Sequence, residues 1–509
     1  VAGDGGVLVV GAGTSGLALA LQAGAHGAAV RVVERRERLR RPSRALILHP
    51  RTLEGLRPLG VTEAVLARAD RSPVVDLHLG RRVVTARLED VRLPGTAFPH
   101  PVLVRQADVE EVLREALAAR GVPVERGTAL TGLEGRAAVL ERAGSRERAP
   151  FRFLAGCDGP DSTARALTGV PWRGRPYRAD ILLADLELDG LPPDRAHVVA
   201  AAGGIVFLFA IGEAAPWRLL VSAPARPSAV PFGQPGPPVP VEELRAALAA
   251  AGLPARITRV AWSARVRLQR RLAARFRAGD VFLVGDAAHA HSPAGGQGMN
   301  TGIQDALNLG WKLAWAAAPG AGGAARERLL ESYELERRPA DRRVLALTDV
   351  LFRGEAGTDP LSRLARTRLG PLGAPALPAV LRTRFLVDPP LAVLAQLRVH
   401  HRASPLSVTT GRPRGRPRAG ERLPDGPVRC GGRTVRLHEL TAAPGVHVLL
   451  ERSAADPGPL GPGVHVHRLE DRPGRGGTVV RPDGWVGLRA DPLEAAGLSA
   501  WLAAARGRP

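Results

Sequence analysis

The stretch VLVVGAGTSGLALALQAGAHGAAVRVVERRERL, Val7 to Leu39, decides the fold. Four apolar residues, Val7 to Val10, predict a buried strand. A glycine turn follows, then a helix from about Ser15 to Ala25 carrying Leu17, Leu19 and Leu21, then a second strand ending at Glu34. Gly11, Gly13 and Gly16 give G-x-G-x-x-G across the turn. In that spacing Gly11 makes the turn, Gly13 lets a pyrophosphate approach the backbone, and Gly16 allows close packing of helix on strand. The helix N-terminus offers oriented amides to the phosphates. Glu34 lies 23 positions after Gly11, where a carboxylate can accept from a ribose hydroxyl. Strand, turn, helix and acid together read as a dinucleotide-binding unit.

Two further segments repeat the strand-then-turn layout. FLAGCDGPDSTARALTGV, Phe153 to Val170, places Asp158-Gly159 after a strand and before Ser162 and Arg165. VFLVGDAAHAHSPAGGQGMNTGIQDALNLGWKLA, Val281 to Ala314, ends a buried strand at Gly285-Asp286 and runs through a glycine-rich loop into a long amphipathic helix. That layout offers backbone amides to a large, planar, electron-rich group, with the Asp286 carboxylate beside a sugar-like hydroxyl. His289 and His291 form an H-x-H pair, but no third ligand accompanies them in sequence, so no metal is expected. Cys157 reads as a small buried residue.

Composition narrows the class. With 509 residues, 45% hydrophobic and 24% charged, the chain can hold several domains and a sizeable core. No apolar run reaches the roughly 18 residues of a membrane helix, and the glycine-broken start does not read as a signal peptide. Two cysteines, Cys157 and Cys430, make no disulfide framework, so a cytoplasmic setting is expected. The net charge of +22 invites a nucleic-acid reading. Yet 70 of the 71 basic residues are arginines, scattered singly, as GC-rich codon choice would leave them. The arginines of RRERLRR, Arg35 to Arg41, read either as a solvated turn or as a clamp for a nicotinamide 2′-phosphate.

In order and spacing, the three segments make the chain resemble the flavoprotein aromatic hydroxylases of the para-hydroxybenzoate hydroxylase type. Within that class it is most similar to the aromatic-polyketide hydroxylases of antibiotic-producing bacteria. The resemblance covers about the first 340 residues. It implies FAD as cofactor, NADPH or NADH as reductant, and delivery of one oxygen atom from a flavin C4a-hydroperoxide, formed with dioxygen, to an electron-rich ring. By the same resemblance Asp286 would hold the ribityl chain, with Gly285 at its side. The loop Pro293 to Asn300, including Gly296, would wrap the flavin ring, and the amides near Gly298, Met299 and Asn300 would stabilise its reduced anion. Arg44 and Gln106 match flavin contacts, Arg35 adjoins the dinucleotide site, and Asp158 belongs to the segment serving both FAD and the nicotinamide. Arg218 sits where the family has an arginine near the mobile flavin. Relatives usually carry an aromatic where Val266 stands, which would widen the pocket near the ring.

The expected architecture is α/β. A Rossmann-like FAD-binding domain is assembled from 1–75, 101–175 and 268–400, a β-rich substrate domain from 76–100 and 176–267, and a linker, 401–427, leads to a thioredoxin-like domain, 428–509. Short β-rich runs in the middle supply Phe207, Phe209 and Trp217 as candidates for the substrate wall, though which alternation faces the cavity is not readable. No general base is assigned; the chain has two tyrosines, Tyr177 and Tyr333. Within the C-terminal domain, VRPDGW, Val480 to Trp485, resembles the family's late hairpin, and Cys430 lacks a C-x-x-C partner, leaving a structural or homodimer-supporting role. The partners implied are an aromatic small molecule and dioxygen, with no membrane. Two alternatives stay open. The same motifs serve Baeyer–Villiger or antibiotic-inactivating oxygenation, and RPRGRPR, Arg412 to Arg418, has the form of a hook for the minor groove of A·T DNA.

Overall fold

The computed structural model describes residues 6–38, 46–210, 216–357 and 359–508. Its first sheet has six strands in the order Arg277–Ala278, Val281–Leu283, Phe153–Gly156, Val7–Val10, Val30–Glu34 and Val124–Arg126. All neighbours are parallel except the first pair. A parallel sheet is covered on both faces, which is why Val7–Val10 is apolar and buried throughout. The helix Thr14–Ala25 packs on it, and the helix Gln297–Ala317 packs on that helix. Gly310 permits this approach, since a Cβ there would lie 2.7 Å from the Gln22 Cβ. The strands end, at their C-terminal edge, in Gly11, Glu34, Cys157-Asp158 and Val284-Gly285-Asp286. Three stretches widely separated in sequence therefore meet where open α/β sheets bind ligands.

The second sheet has eight strands in the order His289–Ala290, Arg256–Ala273, Trp172–Asp189, Trp217–Pro224, Gly204–Ala210, Ala196–Ala201, Val74–Leu79 and Arg82–Arg87. Alternation along these strands separates two faces. One carries Leu182, Ala184, Leu186, Val206, Leu208, Trp217 and Leu219, which pack with Leu244 and Leu248 of the helix Val241–Ala250 into a core. The other carries Ile181, Leu183, Phe207, Phe209, Arg218, Leu220 and Val266, which line a cavity shared with the first sheet. The strands Trp172–Asp189 and Arg256–Ala273 run through the limits read at 176 and 267 and carry this sheet up to the cofactor half.

A third, mixed sheet lies at the C-terminus, ordered Val408–Gly411, Val486–Asp491, Gly477–Val480, Val446–Glu451, Val464–Leu469. The last four strands and the closing helix Ala495–Ala505 follow the thioredoxin pattern, but the parallel connection 452–463 carries no helix. The stretch read as a linker is partly built into the fold: Val408–Gly411 is an edge strand, and Leu406, Ala419 and Leu423 are buried. VRPDGW explains the docking of this sheet. Buried Arg481 donates to both oxygens of Glu336, each at 2.7 Å, and is held by Asp483. Lys312 donates to Glu336 at 2.9 Å. Every charge in this junction has a partner, as burial requires.

Candidate active site

A cavity of about 600 Å³ runs from the glycine turn to the inner face of the eight-stranded sheet, a volume usual for a ligand pocket. Gly11, Gly13, Glu34, Arg35, Gln106, Asp158, Asp286, Pro293, Gly296, Gly298 and Met299 line one part of it. Phe207, Phe209 and Arg218 line the other. Arg44 lies outside the described residues.

The three glycines of the turn divide their work. Gly11 has φ +104°, and a Cβ on it would sit 2.4 Å from the Cys157 carbonyl oxygen. A Cβ on Gly16 would meet the Gly11 carbonyl oxygen at 1.9 Å. Both are fixed by packing, and Gly16 stays outside the cavity lining. A Cβ on Gly13 would meet nothing nearer than Glu110 Oε1 at 3.9 Å, so its bare backbone faces the cavity. Glu34 ties the turn together: its carboxylate accepts from the Ala12 amide at 2.9 Å and the Arg36 amide at 3.0 Å. Cys157 is the buried small residue beneath, its thiol pushed well up by burial and by Asp158.

The Asp158 carboxylate accepts from the Ala164 amide at 3.0 Å through one oxygen, while the other is buried without a partner. Burial raises its pKa. Ser162 caps the following short helix, and Arg165 donates to the Ala287 carbonyl at 2.8 Å, joining this segment to Gly285-Asp286. Asp286 is exposed, and it is the cavity that it lines.

Behind Gly285 lies a polar cluster with no opening to the cavity. Asp305 accepts from the Gly285 amide at 3.1 Å, the His289 ring at 2.8 Å and Arg337 at 2.6 Å. Arg337 also donates to Asp341 at 2.8 Å. Burial alone would depress His289, but Asp341 and Asp305 outweigh it and hold the imidazole at about 9. His289, Asp305 and Asp341 converge as metal ligands would, but Arg337 and a charged imidazolium already meet the carboxylates' charge. His291, the second histidine of the pair, lines the cavity instead and is lowered to about 4 by burial and by the His289 charge.

The loop ahead of the helix Gln297–Ala317 is braced from outside. Asn300 donates to the Ile47 and Gly296 carbonyls at 2.9 and 2.8 Å and accepts from the His49 amide at 2.8 Å. Its side chain is spent on holding the loop and does not reach the lining. Gly296, with φ +64°, has Ile47 against it. Gly298 and Met299, in the helix's first turn, line the cavity, and that turn carries no acid.

On the substrate side Phe207, Phe209 and Arg218 face the cavity. Phe207 and Phe209 stack with ring centroids 6.1 Å apart. Arg218 is buried and gripped by Asp185 at 2.7 and 2.8 Å. Trp217, one residue before it, points to the opposite face and packs in the core; it does not line the cavity. Neither tyrosine does: Tyr333 donates to the Leu283 carbonyl and Tyr177 to Asp349. Three polar lining residues carry no cofactor or substrate reading from sequence. Glu110 accepts from Gln106 at 2.8 Å one helical turn away, so the i,i+4 spacing from Gln106 was its signal. His291 was noticed only as a metal candidate. Glu355, near the end of the helix Gly323–Ala356, sits in no motif.

The residues present fit FAD. A bare backbone at Gly13, an orphaned Asp158 oxygen, a cavity-facing Asp286 carboxylate and a free helix N-terminus supply what a dinucleotide with an anionic flavin ring needs. Fold and site together define a flavin-dependent monooxygenase. Residues 4–348 match the model described as "FAD binding domain", and the chain belongs to that family. It is 36% identical to the 6-methylpretetramide 4-monooxygenase of Streptomyces rimosus, over 80% of this chain and 71% of that protein. Among solved structures, the anhydrotetracycline hydroxylase OxyS from Streptomyces rimosus superposes with a TM-score of 0.77 at 27% identity over 99% of both chains. The Diels-Alderase PyrE3 of pyrroindomycin biosynthesis does so with the same TM-score at 28% identity, also over 99% of both chains. The scaffold therefore hosts more than one reaction. Among the described residues, no helix is long and apolar enough to cross a membrane.

Proposed function

We propose that this enzyme hydroxylates a polycyclic aromatic, polyketide-type small molecule, using NADPH or NADH and dioxygen. The observation that carries the reading is the continuity of one cavity: the dinucleotide cradle and the Phe207/Phe209 face are two ends of the same space. A flat polycycle can stack along that aromatic face while its reacting edge meets the flavin. The relatives named for 6-methylpretetramide and anhydrotetracycline support this substrate class.

When bound, FAD reduced by the nicotinamide supplies the activation of dioxygen that puts one oxygen atom on the ring. Everything else falls to the chain. Glu34, Asp158 and Asp286 would hold the dinucleotide's hydroxyls, Gly13 its pyrophosphate, and the Gly298 and Met299 amides the charge on the reduced ring. Held by Asp185, the Arg218 guanidinium would stand on the cavity wall as half of a neutral pair, without competing for the cofactor phosphates. Apolar walls, Ile181, Leu183, Leu220 and Val266, exclude the water that would divert activated oxygen to peroxide.

The test is NADPH consumption by the FAD-loaded protein with a panel of polycyclic phenols, with product masses. Stimulated consumption and a product heavier by one oxygen is the expected result; consumption unaffected by every member of the panel would count against the substrate class.

A further inference from the structure

We propose that Glu355 is the residue that accepts the proton of the substrate's phenolic hydroxyl, a role for which neither tyrosine is placed. The assignment rests on the polycyclic-phenol reading above and goes beyond it by naming the acceptor.

Glu355 is carried to the cavity by the last turn of the 34-residue helix Gly323–Ala356. That turn closes on the strand Gly204–Ala210 at a glycine. A Cβ on Gly204, whose φ is +144°, would lie 2.1 Å from Ser222 Oγ and 3.1 Å from the Glu355 carbonyl oxygen. The same strand presents Phe207 and Phe209 to the cavity, so the carboxyl and the aromatic face belong to one wall. Among the described residues the Glu355 carboxyl has no hydrogen-bond or ion-pair partner, and burial is the single influence on it. Charged groups around it are engaged elsewhere. On the sheet, Arg218 is held by Asp185. Arg366 donates to the Gly354 and Gly357 carbonyls at 2.8 and 2.6 Å, capping the helix end through backbone. On its own helix Arg353 is exposed, and Asp349 is taken by Tyr177 and Arg270. His291, which also lines the cavity, is neutral near pH 7, being lowered to about 4.

A lone carboxyl in a largely apolar wall is costly unless a ligand meets it. Desolvation lifts it to about 7, which matches it to a phenol of a conjugated polycycle and suits it to proton exchange near neutrality. In the step, the phenol O–H bond breaks, the proton forms an O–H bond on Glu355, and the electron pair stays on the phenolate. The adjacent ring carbon becomes more nucleophilic toward the electrophilic oxygen the family's chemistry provides. No redox partner is consumed in this transfer.

The experiment uses FAD-loaded protein and 2-hydroxyanthraquinone, whose anion absorbs to the red of its neutral form, at a pH just above 7, where Glu355 is ionised, and still below the dye's own ionisation. The expected result for the unmodified enzyme is a phenolate band on binding, with no proton released to a weakly buffered medium. Glu355→Gln, which keeps size and loses no partner, should bind the dye in its neutral form and about tenfold more weakly. Glu355→Asp should restore part of the band. FAD content of both variants reports folding. The same band and affinity in Glu355→Gln, or neutral dye on the unmodified enzyme, would overturn the assignment. Failure of the unmodified enzyme to bind the dye would instead overturn the polycyclic-phenol reading beneath it.

Discussion

The two ends of the cavity are built by different means. The cofactor end is made of short loops at the C-terminal edge of a parallel sheet, where backbone amides, glycines and three acids line the cavity. The substrate end is made of alternate side chains on long antiparallel strands and one helix terminus. A loop that must show its backbone to a phosphate accepts few residues. A strand face that must fit a flat hydrocarbon accepts many. The first kind of site is therefore constrained by chemistry, the second by shape.

The contrast can be broken most forcefully at neighbours on one strand. Trp217→Ala should cost about 3–5 kcal/mol of stability, because Trp217 fills the core behind the sheet. Thermal unfolding reads this, and a fully stable variant with impaired substrate binding would move Trp217 back to the cavity wall. Gly11→Ala should come next, at roughly 2 kcal/mol or more from strain and collision with the Cys157 carbonyl. Gly13→Ala, with no such collision, should leave the unfolding temperature of the apoprotein nearly unchanged and weaken FAD. Equal destabilisation by the two would refute the division of labour between the glycines.

Smaller effects sharpen the same comparison. Asp286→Ala should raise the FAD dissociation constant about tenfold, roughly 1.4 kcal/mol, with little change in stability; undiminished flavin content would contradict it. Phe207→Ala should leave FAD binding untouched and raise KM several-fold for the aromatic substrate. The smallest effect concerns acid. His49 and His291, around the flavin loop, are both lowered to about 4, His49 by burial. A depressed folded value means that their contribution is complete above the unfolded value near 6.5 and is lost as pH falls toward 4. His289, raised to about 9 once Asp341 and Asp305 outweigh burial, works the other way, and its contribution is lost as pH rises through 9. Unfolding temperature should accordingly be highest between these limits, and His49→Gln should flatten only the acid side.

The same contrast explains what could be read before the structure. Gly11, Gly13, Glu34, Asp158 and Asp286 stand at fixed spacings after apolar runs, so local sequence placed them on strand ends. The substrate face resisted because Phe207, Phe209 and Trp217 lie on neighbouring, similarly apolar strands, and strand register alone decides which of them face in. Glu355 and Asp185 reach the site only through tertiary packing. The stretch 401–427 reads as a linker through its Pro, Gly and Arg content, yet within it Leu406 packs into the core of the first sheet and Leu423 into that of the C-terminal domain. VRPDGW was recognisable as a motif, but its partner Glu336 lies 145 residues earlier and has no local mark.

A neighbour of the same fold is a Diels-Alderase, so the origin of oxygen in the product is what separates the reactions this scaffold could run. The decisive measurement is turnover of a polycyclic phenol by the FAD-loaded enzyme with NADPH under ¹⁸O₂ in ordinary water. A product carrying one ¹⁸O atom is predicted. A product of unchanged composition, or one whose new oxygen comes from water, would contradict the monooxygenase account.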